Sequence, residues 1–311
     1  MAEKNKYSLI IIGAGPAGMT ASIYASRFKV DNLIIGQSPG GLVLEAHKIC
    51  NYPSEPEISG VELVTKMQQQ VESLGASIVL DKVKEIKNTG KDEFYLQTES
   101  GKEFWTRTIL LASGTEHRKL NLSGENEFLG KGVSYCATCD AMFYRDKNVA
   151  VIGGSDSANI SSLYLSEVAS KVYQIYRKDS LRGERAWIEQ IKNNDKIEVI
   201  FNTEVKSLKG EEKLEKVVLD KPYQGKKELT VEGLFIEIGT VPQRELIYIL
   251  GVKINKQGYV EVGQDQKTDQ DRVWAAGDIT NGSNNFRQII TACSEGAVAA
   301  ENIYKYLIEK K

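Results

Sequence analysis

The chain contains few of the residues that build disulfide frameworks or metal centres. Its 311 residues include only four cysteines, two histidines and six prolines. Four cysteines are too few for a secreted disulfide scaffold, and the scattered histidines and cysteines offer no obvious set of four zinc ligands. In a reducing compartment, two cysteines that lie close together indicate redox chemistry rather than a structural cross-link.

Long apolar runs and a large excess of one charge are also absent. No stretch of about 18 apolar residues occurs, which predicts that no helix crosses a membrane. The net charge is -2, and no basic run interleaves with aromatic residues, so a nucleic-acid partner is not expected. The N-terminal residues lack the apolar region of a signal peptide, which indicates a cytoplasmic protein.

A glycine-rich turn follows the first apolar run, and helical spacing follows the turn. This order is typical of a βαβ unit. In its G-x-G-x-x-G pattern, Gly13 permits a tight turn, Gly15 admits a close backbone approach, and Gly18 lets the helix pack on the strand. Pro16 and Ala17 begin the helix, whose free N–H groups and dipole favour a pyrophosphate. The turn therefore predicts a dinucleotide site.

One expected feature of that site is missing. An acidic residue about 20 positions after the turn usually binds the ribose, but Gln37 follows the second apolar run here. The glutamine amide can hydrogen-bond a ribose hydroxyl, although more weakly than a carboxylate does.

A second strand–turn–helix pattern begins near residue 148, so one architecture is used twice. Gly153 and Ala158 hold the first and last places of its turn, which also contains Asp156 and Ser157. Ser155 stands where the middle glycine belongs, and its side chain crowds the approach of a pyrophosphate.

Three basic residues follow the next predicted strand, namely Arg177, Lys178 and Arg182. A cationic cluster at this place matches a 2′-phosphate and favours NADP over NAD. The alternative is a solvated basic loop, and the sequence leaves both interpretations open. Farther along, the apolar run from Leu229 to Ile238 predicts a single strand.

The most informative segment lies between the two turns and reads Cys136-Ala137-Thr138-Cys139-Asp140. Two thiols at this spacing can close into a small disulfide ring, in which one thiolate attacks a partner and the other resolves the mixed disulfide. The acid after the second thiol is placed to supply a proton to a leaving thiolate. A zinc knuckle or a pair of inert thiols is the alternative. Cys50 and Cys293 are predicted to pack as small hydrophobic residues.

Together these residues resemble the low-molecular-weight thioredoxin reductases, a family of homodimeric, cytoplasmic FAD enzymes. The resemblance covers essentially the whole chain. Besides the first glycine turn, it rests on Gly40-Gly41, Asn51-Tyr52-Pro53, residues 132–140, Ala275-Ala276-Gly277-Asp278 and Phe286-Arg287-Gln288.

The resemblance implies a set of FAD-binding positions. The first turn and Asp278 would bind FAD, with Asp278 on the ribityl chain. Asn51, Arg287 and Gln288 would lie near the flavin. The same set includes Gly41, Gly277 and Leu42, the last of which replaces a common glutamine.

The resemblance also implies the roles of the redox residues. Cys139 would face the flavin and accept its electrons, Cys136 would attack the disulfide of a thioredoxin-like protein, and Asp140 would donate the proton. The family rotates one domain against the other on two linkers, which places hinges near His117 and Pro242.

The implied fold is α/β, with two doubly wound, Rossmann-like three-layer domains. Residues 1–116 and 245–311 would form a discontinuous FAD-binding domain. Residues 117–244 would form an NAD(P)H-type domain that carries the redox cysteine pair.

Departures from the family pattern cluster at the nicotinamide site. The family usually has a glycine at Ser155, a Glu pair at Ile160 and Ser161, and a His-Arg-Arg run that begins at Tyr176. The elements between flavin and disulfide are intact, which predicts flavin-dependent reduction of a thioredoxin-like protein. NADPH is favoured narrowly as the donor, and reduced ferredoxin is the alternative. A dithiol oxidase and a redox-sensing flavoprotein are further alternatives.

Overall fold

The computed structural model describes residues 5–90 and 92–310. The chain forms two compact units. The discontinuous unit comprises the chain up to Glu116 and again from Val241, and the inserted unit is His117–Thr240. The sequence suggested boundaries at 116/117 and 244/245, and the segment Thr240–Pro242 just before the second of these is a strand.

The secondary structure alternates between strands and helices through most of the chain. The strands are β1 (Lys6–Ile12), β2 (Asn32–Gly36), β3 (Ser77–Leu80), β4 (Val83–Asn88), β5 (Phe94–Thr98), β6 (Glu103–Leu111), β7 (Thr115–His117), β8 (Val133–Ser134), β9 (Asn148–Ile152), β10 (Lys171–Ile175), β11 (Ile197–Ile200), β12 (Val205–Lys209), β13 (Lys216–Tyr223), β14 (Lys226–Thr230), β15 (Gly233–Ile236), β16 (Thr240–Pro242) and β17 (Val273–Ala275). The α-helices are α1 (Pro16–Arg27), α2 (Gly60–Ser73), α3 (Ala137–Asp140), α4 (Asp156–Val168), α5 (Arg185–Lys192), α6 (Glu245–Leu250) and α7 (Ile289–Glu309), and short 3-10 turns occupy Gly41–Glu45, Ala141–Tyr144 and Ser283–Asn285.

The discontinuous unit is built around a mixed sheet with the order β3-β2-β1-β6-β5-β4, in which β17 also pairs with β6. The strands β1, β2, β3, β6 and β17 run parallel, and β4 and β5 form an antiparallel extension. The carboxyl ends of β1, β2 and β17 therefore meet at one edge, where a doubly wound sheet binds its ligand.

Both faces of this sheet are covered, which makes the unit three layers thick. In β1, Leu9 and Ile11 belong to the core beneath α1, α2 and α7. Ile10 and Ile12 belong to the opposite core, which includes Leu246 of α6. The strand is apolar along its whole length because its two faces are both buried.

The inserted unit has a parallel sheet with the order β11-β10-β9-β15-β8 and an antiparallel sheet β12-β13-β14. Residues of α4 and α5 pack on one face of the parallel sheet, and the antiparallel sheet packs on the other. This unit is also three layers thick.

The prediction of one strand from Leu229 to Ile238 is wrong, because this run contributes to two sheets. The amide of Val231 donates to the carbonyl of Glu215 in the antiparallel sheet region, and the amide of Glu232 donates to Asn148. The chain thus exchanges one set of backbone partners for another within two residues. An apolar run does not reveal such a change of sheet.

Two short strands, β7 and β16, carry the chain between the units, and they pair with each other. Within the described ranges, no helix combines the length and the apolar character that a membrane crossing requires.

Candidate functional site

The first glycine turn is as tight as the sequence suggests. Gly13 has a φ of +121°, and a Cβ added there would lie 2.1 Å from the carbonyl oxygen of Ala112. A Cβ at Gly18 would lie 2.0 Å from the carbonyl oxygen of Gly13, which shows how closely α1 packs on the turn. A Cβ at Gly15, by contrast, meets nothing within 4 Å. The backbone at Gly15 therefore faces open space.

The N-terminus of α1 lies at this open space. Gly15 is the N-cap in an extended conformation and supplies no side-chain cap, and Pro16 begins the helix without an N–H group to satisfy. The amides of the first helical turn, which include those of Ala17 and Gly18, have no intrahelical partners. A phosphate is the kind of group that such an N-terminus binds.

A second loop approaches the first turn from the end of β2. The amide of Gly40 donates to the carbonyl of Ala14 at 2.6 Å. Gly41 follows with a φ of +54° and open space around its Cα, and Leu42 is half-buried in the next 3-10 turn. Gln37 is exposed immediately after β2. The loop thus lies beside the first turn, at the carboxyl edge of the sheet.

Two residues that the resemblance placed near the flavin contact each other. Nδ2 of Asn51 donates to Oε1 of Gln288 at 3.0 Å. Gln288 is the N-cap of α7, and its backbone N–H donates to the hydroxyl of Thr291 at 3.0 Å. Cys293, one turn farther along the helix, is buried as predicted. The prediction for Cys50 is wrong, because this residue is exposed beside the buried Ile49 on an irregular segment.

The loop after β17 holds Asp278 in a largely buried position. Burial raises the pKa of Asp278 to about 6, while the positive charge of Arg287 opposes this rise and the negative charge of Glu295 adds to it. Gly277 before it has a φ of +83°, and a Cβ there would lie 2.9 Å from the Cβ of Ala17 in α1. The loop and the first glycine turn are therefore in direct contact.

Sequence reasoning missed Glu295, the residue that shapes this loop. Its buried carboxylate accepts hydrogen bonds from the amide of Gly277 at 2.8 Å and from the hydroxyls of Thr280 at 2.9 Å and Ser283 at 2.7 Å. The signal was present in the sequence, because this acid stands among the alanines and the glycine that α7 buries. A buried acid at such a place requires partners.

The cysteine pair forms a disulfide between Cys136 and Cys139. Cys136 is the N-cap of the short helix α3, and its sulfur accepts a hydrogen bond from the amide of Cys139 at 3.1 Å. Cys136 is half-buried, Cys139 is exposed, and Asp140 at the end of α3 is half-buried. Because both sulfurs are in the disulfide, neither is a thiolate ligand for zinc in this state.

A buried carboxylate anchors the residue before this pair. Glu125 accepts hydrogen bonds from the amides of Leu120 and Leu122, both at 3.0 Å, and from the hydroxyl of Tyr135. Burial and this contact raise the pKa of Tyr135. The hydroxyl of Ser134 accepts from the amide of Cys136 at 3.0 Å. These contacts fix the backbone that enters the disulfide, and no sequence motif signalled the glutamate.

The first residue of the second glycine turn has no room for a side chain. Gly153 has a φ of +146°, and a Cβ there would lie 2.2 Å from the carbonyl oxygen of Glu237 and 2.7 Å from the Cβ of Ala158. Ser155 and Ser157 are exposed. The carboxylate of Asp156, the first residue of α4, accepts from the amide of Glu184 at 2.7 Å. The loop after β10 is therefore tied to the start of α4.

The basic residues after β10 differ in their surroundings. Arg177 and Lys178 are exposed. Nε of Arg182 donates to the hydroxyl of Tyr176 at 3.1 Å, and its amide donates to the carbonyl of Gly154 at 2.7 Å. The ring of Tyr176 is buried against Gly154, where an added Cβ would lie 2.4 Å from two ring carbons. Arg182 thus supports the turn, whereas Arg177 and Lys178 extend into solvent.

One family departure has a structural counterpart. Ser161, which stands where the resemblance expected a glutamate, donates from its hydroxyl to Glu237 at 2.6 Å. The side chain of Gln174 donates to the carbonyl of Gly153 at 3.2 Å and to Asn159 at 3.0 Å. Internal polar contacts therefore surround the buried side of this turn.

Comparison with known proteins identifies the family. A model of the pyridine nucleotide-disulphide oxidoreductases matches residues 7–296. The thioredoxin reductase of Listeria innocua is 37% identical over 99% of this chain and 96% of its own length. The chain belongs to the pyridine nucleotide-disulphide oxidoreductase family. Membership makes it an FAD-dependent disulfide oxidoreductase of the thioredoxin reductase type.

Solved structures of this family confirm the predicted fold of two Rossmann-like domains. Lactococcus lactis thioredoxin reductase in its FR conformation is 36% identical, and the TM-score is 0.91 over 97% of this chain and 99% of that one. A ferredoxin-flavin thioredoxin reductase from Clostridium acetobutylicum is 31% identical, with a TM-score of 0.53 over 98% of this chain and 99% of that one.

The residues of the discontinuous unit fit FAD, the cofactor of this oxidoreductase family. The open space at Gly15 and the uncapped start of α1 suit a pyrophosphate, because a Cβ at Gly15 would be the first obstacle to its approach. The largely buried Asp278 offers acceptor oxygens beside this turn. The second turn fits a dinucleotide less well, because the exposed side chain of Ser155 occupies the place of closest approach.

Proposed function

We propose that the chain reduces the disulfide of a thioredoxin-like protein through Cys136 and Cys139. The observation that carries the proposal is the disulfide of these two residues at the start of α3, followed directly by the carboxyl group of Asp140. The family supplies the reaction type, and this pair supplies the groups that exchange with a protein disulfide.

FAD, when bound, supplies a two-electron carrier between an electron donor and the protein disulfide. The chain's own residues perform the exchange. Two electrons and two protons convert the disulfide to two thiols. The Cys136 thiolate attacks one sulfur of the substrate disulfide, and the Cys139 thiolate then attacks Cys136, which restores the enzyme disulfide and releases the substrate as a dithiol.

The two steps need a proton for the substrate thiolate that leaves. Asp140 is one residue from Cys139, and its amide donates to the carbonyl of Cys136 at 3.2 Å. Asp140 is the acid nearest to the pair in the sequence, which supports the role of proton donor that we assign to it.

Variants of the two cysteines test this assignment. Cys136→Ser leaves Cys139 without its partner, so substrate reduction is abolished while FAD stays bound. Cys139→Ser leaves a Cys136 thiol that forms a mixed disulfide with thioredoxin but cannot release it, which mass spectrometry detects. The exposed Cys50→Ser is the matched control and retains turnover. Wild-type turnover in either single variant of the pair contradicts the relay.

For the electron donor, we propose NADPH, with reduced ferredoxin as the alternative. The exposed Arg177 and Lys178 after β10 are available to a 2′-phosphate, which supports NADPH. The side chain of Ser155 at the turn favours the alternative, and so does the likeness to a ferredoxin-flavin thioredoxin reductase.

Anaerobic reduction of the purified protein distinguishes the donors. NADPH, NADH and reduced ferredoxin are added in parallel, and the flavin absorbance is followed. Rapid bleaching by micromolar NADPH supports the first proposal. If reduced ferredoxin bleaches the flavin and millimolar NADPH and NADH do not, the electron donor is ferredoxin and not NADPH.

The same preparation addresses the other functions that the sequence left open. Steady turnover with thioredoxin distinguishes the reductase from a redox sensor, which would be reduced without turnover. A faster reaction from dithiol to oxygen would indicate a dithiol oxidase. We also propose a cytoplasmic homodimer, as the family resemblance implies, and sedimentation velocity tests the dimer.

A further inference from the structure

Arg287 is held in place by an aromatic ring. Its guanidinium carbon lies 3.8 Å from the centroid of the Tyr259 ring. Nε of Arg287 also donates to the carbonyl oxygen of Asp278 at 3.4 Å. A cation over the face of a tyrosine is attracted by the ring, by about 0.5–2 kcal/mol depending on how far water is excluded. The ring of Tyr259 is only 8% exposed, so this contact is well shielded.

Tyr259 is itself fixed by the backbone. Its carbonyl accepts from the amide of Asn255 at 2.8 Å, and its amide donates to the side chain of Asn255 at 3.1 Å. The next residue, Val260, donates its amide to the carbonyl of Ile279 at 2.9 Å. The backbone that carries this ring is therefore hydrogen-bonded to the segment that immediately follows Asp278.

The arginine opposes the effect of burial on the nearby acid. The pKa of Asp278 is raised to about 6 because burial and, to a smaller extent, the charge of Glu295 raise it, while the charge of Arg287 lowers it. Among the described residues, Arg287 and Glu295 are the charged groups that shift the pKa of Asp278. An arginine side chain released from the ring would sample many rotamers, and its average attraction for the carboxylate would fall.

We infer that Tyr259 is a positioning residue of the FAD site, whose ring holds the Arg287 guanidinium against the Asp278 loop, where its positive charge favours the carboxylate that would accept from a hydroxyl donor of the cofactor. Tyr259 does not touch the cofactor in this role. It acts through Arg287, which in turn acts on the charge of Asp278. An ionised carboxylate is an acceptor only, and its hydrogen bonds are roughly twice as strong as neutral ones.

FAD affinity of the apoprotein, measured between pH 5 and pH 9, tests the inference. Wild-type affinity falls when the pH falls through about 6, because Asp278 becomes protonated. In Tyr259→Leu the fall begins at higher pH, and the affinity at pH 7 is about 10-fold weaker, which corresponds to about 1.4 kcal/mol. Tyr259→Phe keeps the ring and follows the wild-type profile.

Two further variants separate positioning from a general loss of packing. Tyr304→Leu removes a ring stacked on Phe28, at the end of α1 far from the glycine turn, and its pH profile matches the wild type. Arg287→Gln reproduces the shift of Tyr259→Leu, and adding Tyr259→Leu to it changes the affinity less than about twofold. The pH profile of Arg287→Gln tests the inference even if Tyr259→Leu folds poorly.

The results that overturn the inference are distinct from failure of the proposed function. The inference rests on FAD binding by the discontinuous unit, so a wild-type apoprotein that binds no FAD refutes the function itself. If wild type binds FAD but Tyr259→Leu or Arg287→Gln has an unshifted pH profile, the inference alone is wrong. A Tyr259→Phe profile equal to that of Tyr259→Leu also overturns it, because the ring would then be irrelevant.

Discussion

Asn51 and Gln288 are joined by a hydrogen bond of 3.0 Å between their side-chain amides, although 237 positions separate them in the chain. One follows the loop after β2, and the other caps the start of α7. The two segments of the discontinuous unit thus contact each other at this pair. Each side-chain amide therefore helps to orient the other.

The amide pair predicts non-additive effects on FAD affinity. Asn51→Ala and Gln288→Ala each remove a neutral hydrogen bond worth about 0.5–1.5 kcal/mol, so each weakens FAD binding by about 2–10-fold. The double variant is expected to lose less than the product of the two effects, because each residue positions the other. Titration of the four apoproteins measures this coupling. Gln68→Ala, which removes a surface contact with Glu72, is the control, and full additivity would contradict the coupling.

Asp140 yields a kinetic prediction. Asp140→Asn keeps the size of the side chain but removes its proton-donating ability, so thiol–disulfide exchange is expected to slow by about 10²-fold. Rapid-mixing kinetics with thioredoxin measures the step, and FAD content reports that the site stays intact. Asp146→Asn is a matched control, since Asp146 is an exposed turn residue with a φ of +58° that asparagine tolerates. An unchanged exchange rate in Asp140→Asn would remove this carboxyl from the mechanism.

The parts of the site that are visible in the sequence are those that a local pattern determines. The turn at Gly13 depends on residues within one βαβ unit, and the close approach of Gly18 to Gly13 follows from the same spacing. The spacing of Cys136 and Cys139 likewise lies within one short segment. The family resemblance brought in Asn51 and Gln288, whose contact no local pattern could reveal.

The contacts that escaped prediction join residues whose neighbours are set by the tertiary fold. Tyr259 contacts Arg287 across the strand β17 and its loop, and nothing in the intervening sequence marks the pair. Glu125 binds backbone amides near it, but its role depends on Tyr135. The misjudged run from Leu229 to Ile238 has the same cause, because the identity of a strand's neighbours is absent from its own hydrophobic pattern.

Asp278 predicts a conflict between stability and cofactor binding. Its pKa in the folded apoprotein is about 6, above the ordinary aspartate value of 3.8, so the folded state binds the proton more tightly than the unfolded state does. The ionised form therefore destabilises the apoprotein fully above pH 6, and this cost disappears as the pH falls toward 4. Asp278→Asn is expected to stabilise the apoprotein at pH 7.5 by about 1–3 kcal/mol.

Thermal unfolding of the two apoproteins across pH 4 to 8 measures this effect. The stabilisation by Asp278→Asn should shrink as the pH falls through 6 and be mostly lost at pH 4, where wild-type Asp278 is protonated in the folded state and only about half ionised in the unfolded state. The same substitution should weaken FAD binding by about 10–100-fold, since a charged acceptor is replaced by a neutral one. A stabilisation that persists unchanged at pH 4 would show that burial of charge is not its cause.

The apolar surface beside the disulfide predicts how a protein substrate is recognised. Phe143 is 73% exposed and Met142 is 56% exposed, and both lie in the 3-10 turn that directly follows Asp140. Aromatic residues and methionine are enriched at protein interfaces, and full burial of a phenylalanine contributes about 1.5–3 kcal/mol. Phe143→Ala is therefore expected to raise KM for thioredoxin by about 10–100-fold, with kcat nearly unchanged.

The choice of substrate makes the effect of Phe143 specific. A small aromatic disulfide needs no docking surface, so Phe143→Ala should reduce it at the wild-type rate. Phe201→Ala, which removes a phenylalanine that is 38% exposed after β11 in the same unit, provides the control and should leave both KM values unchanged. Equal losses with thioredoxin and with the small disulfide would indicate damage to the Cys136–Cys139 segment. An unchanged KM for thioredoxin would show that the partner binds elsewhere, because a contact of this size cannot be lost without a measurable change in affinity.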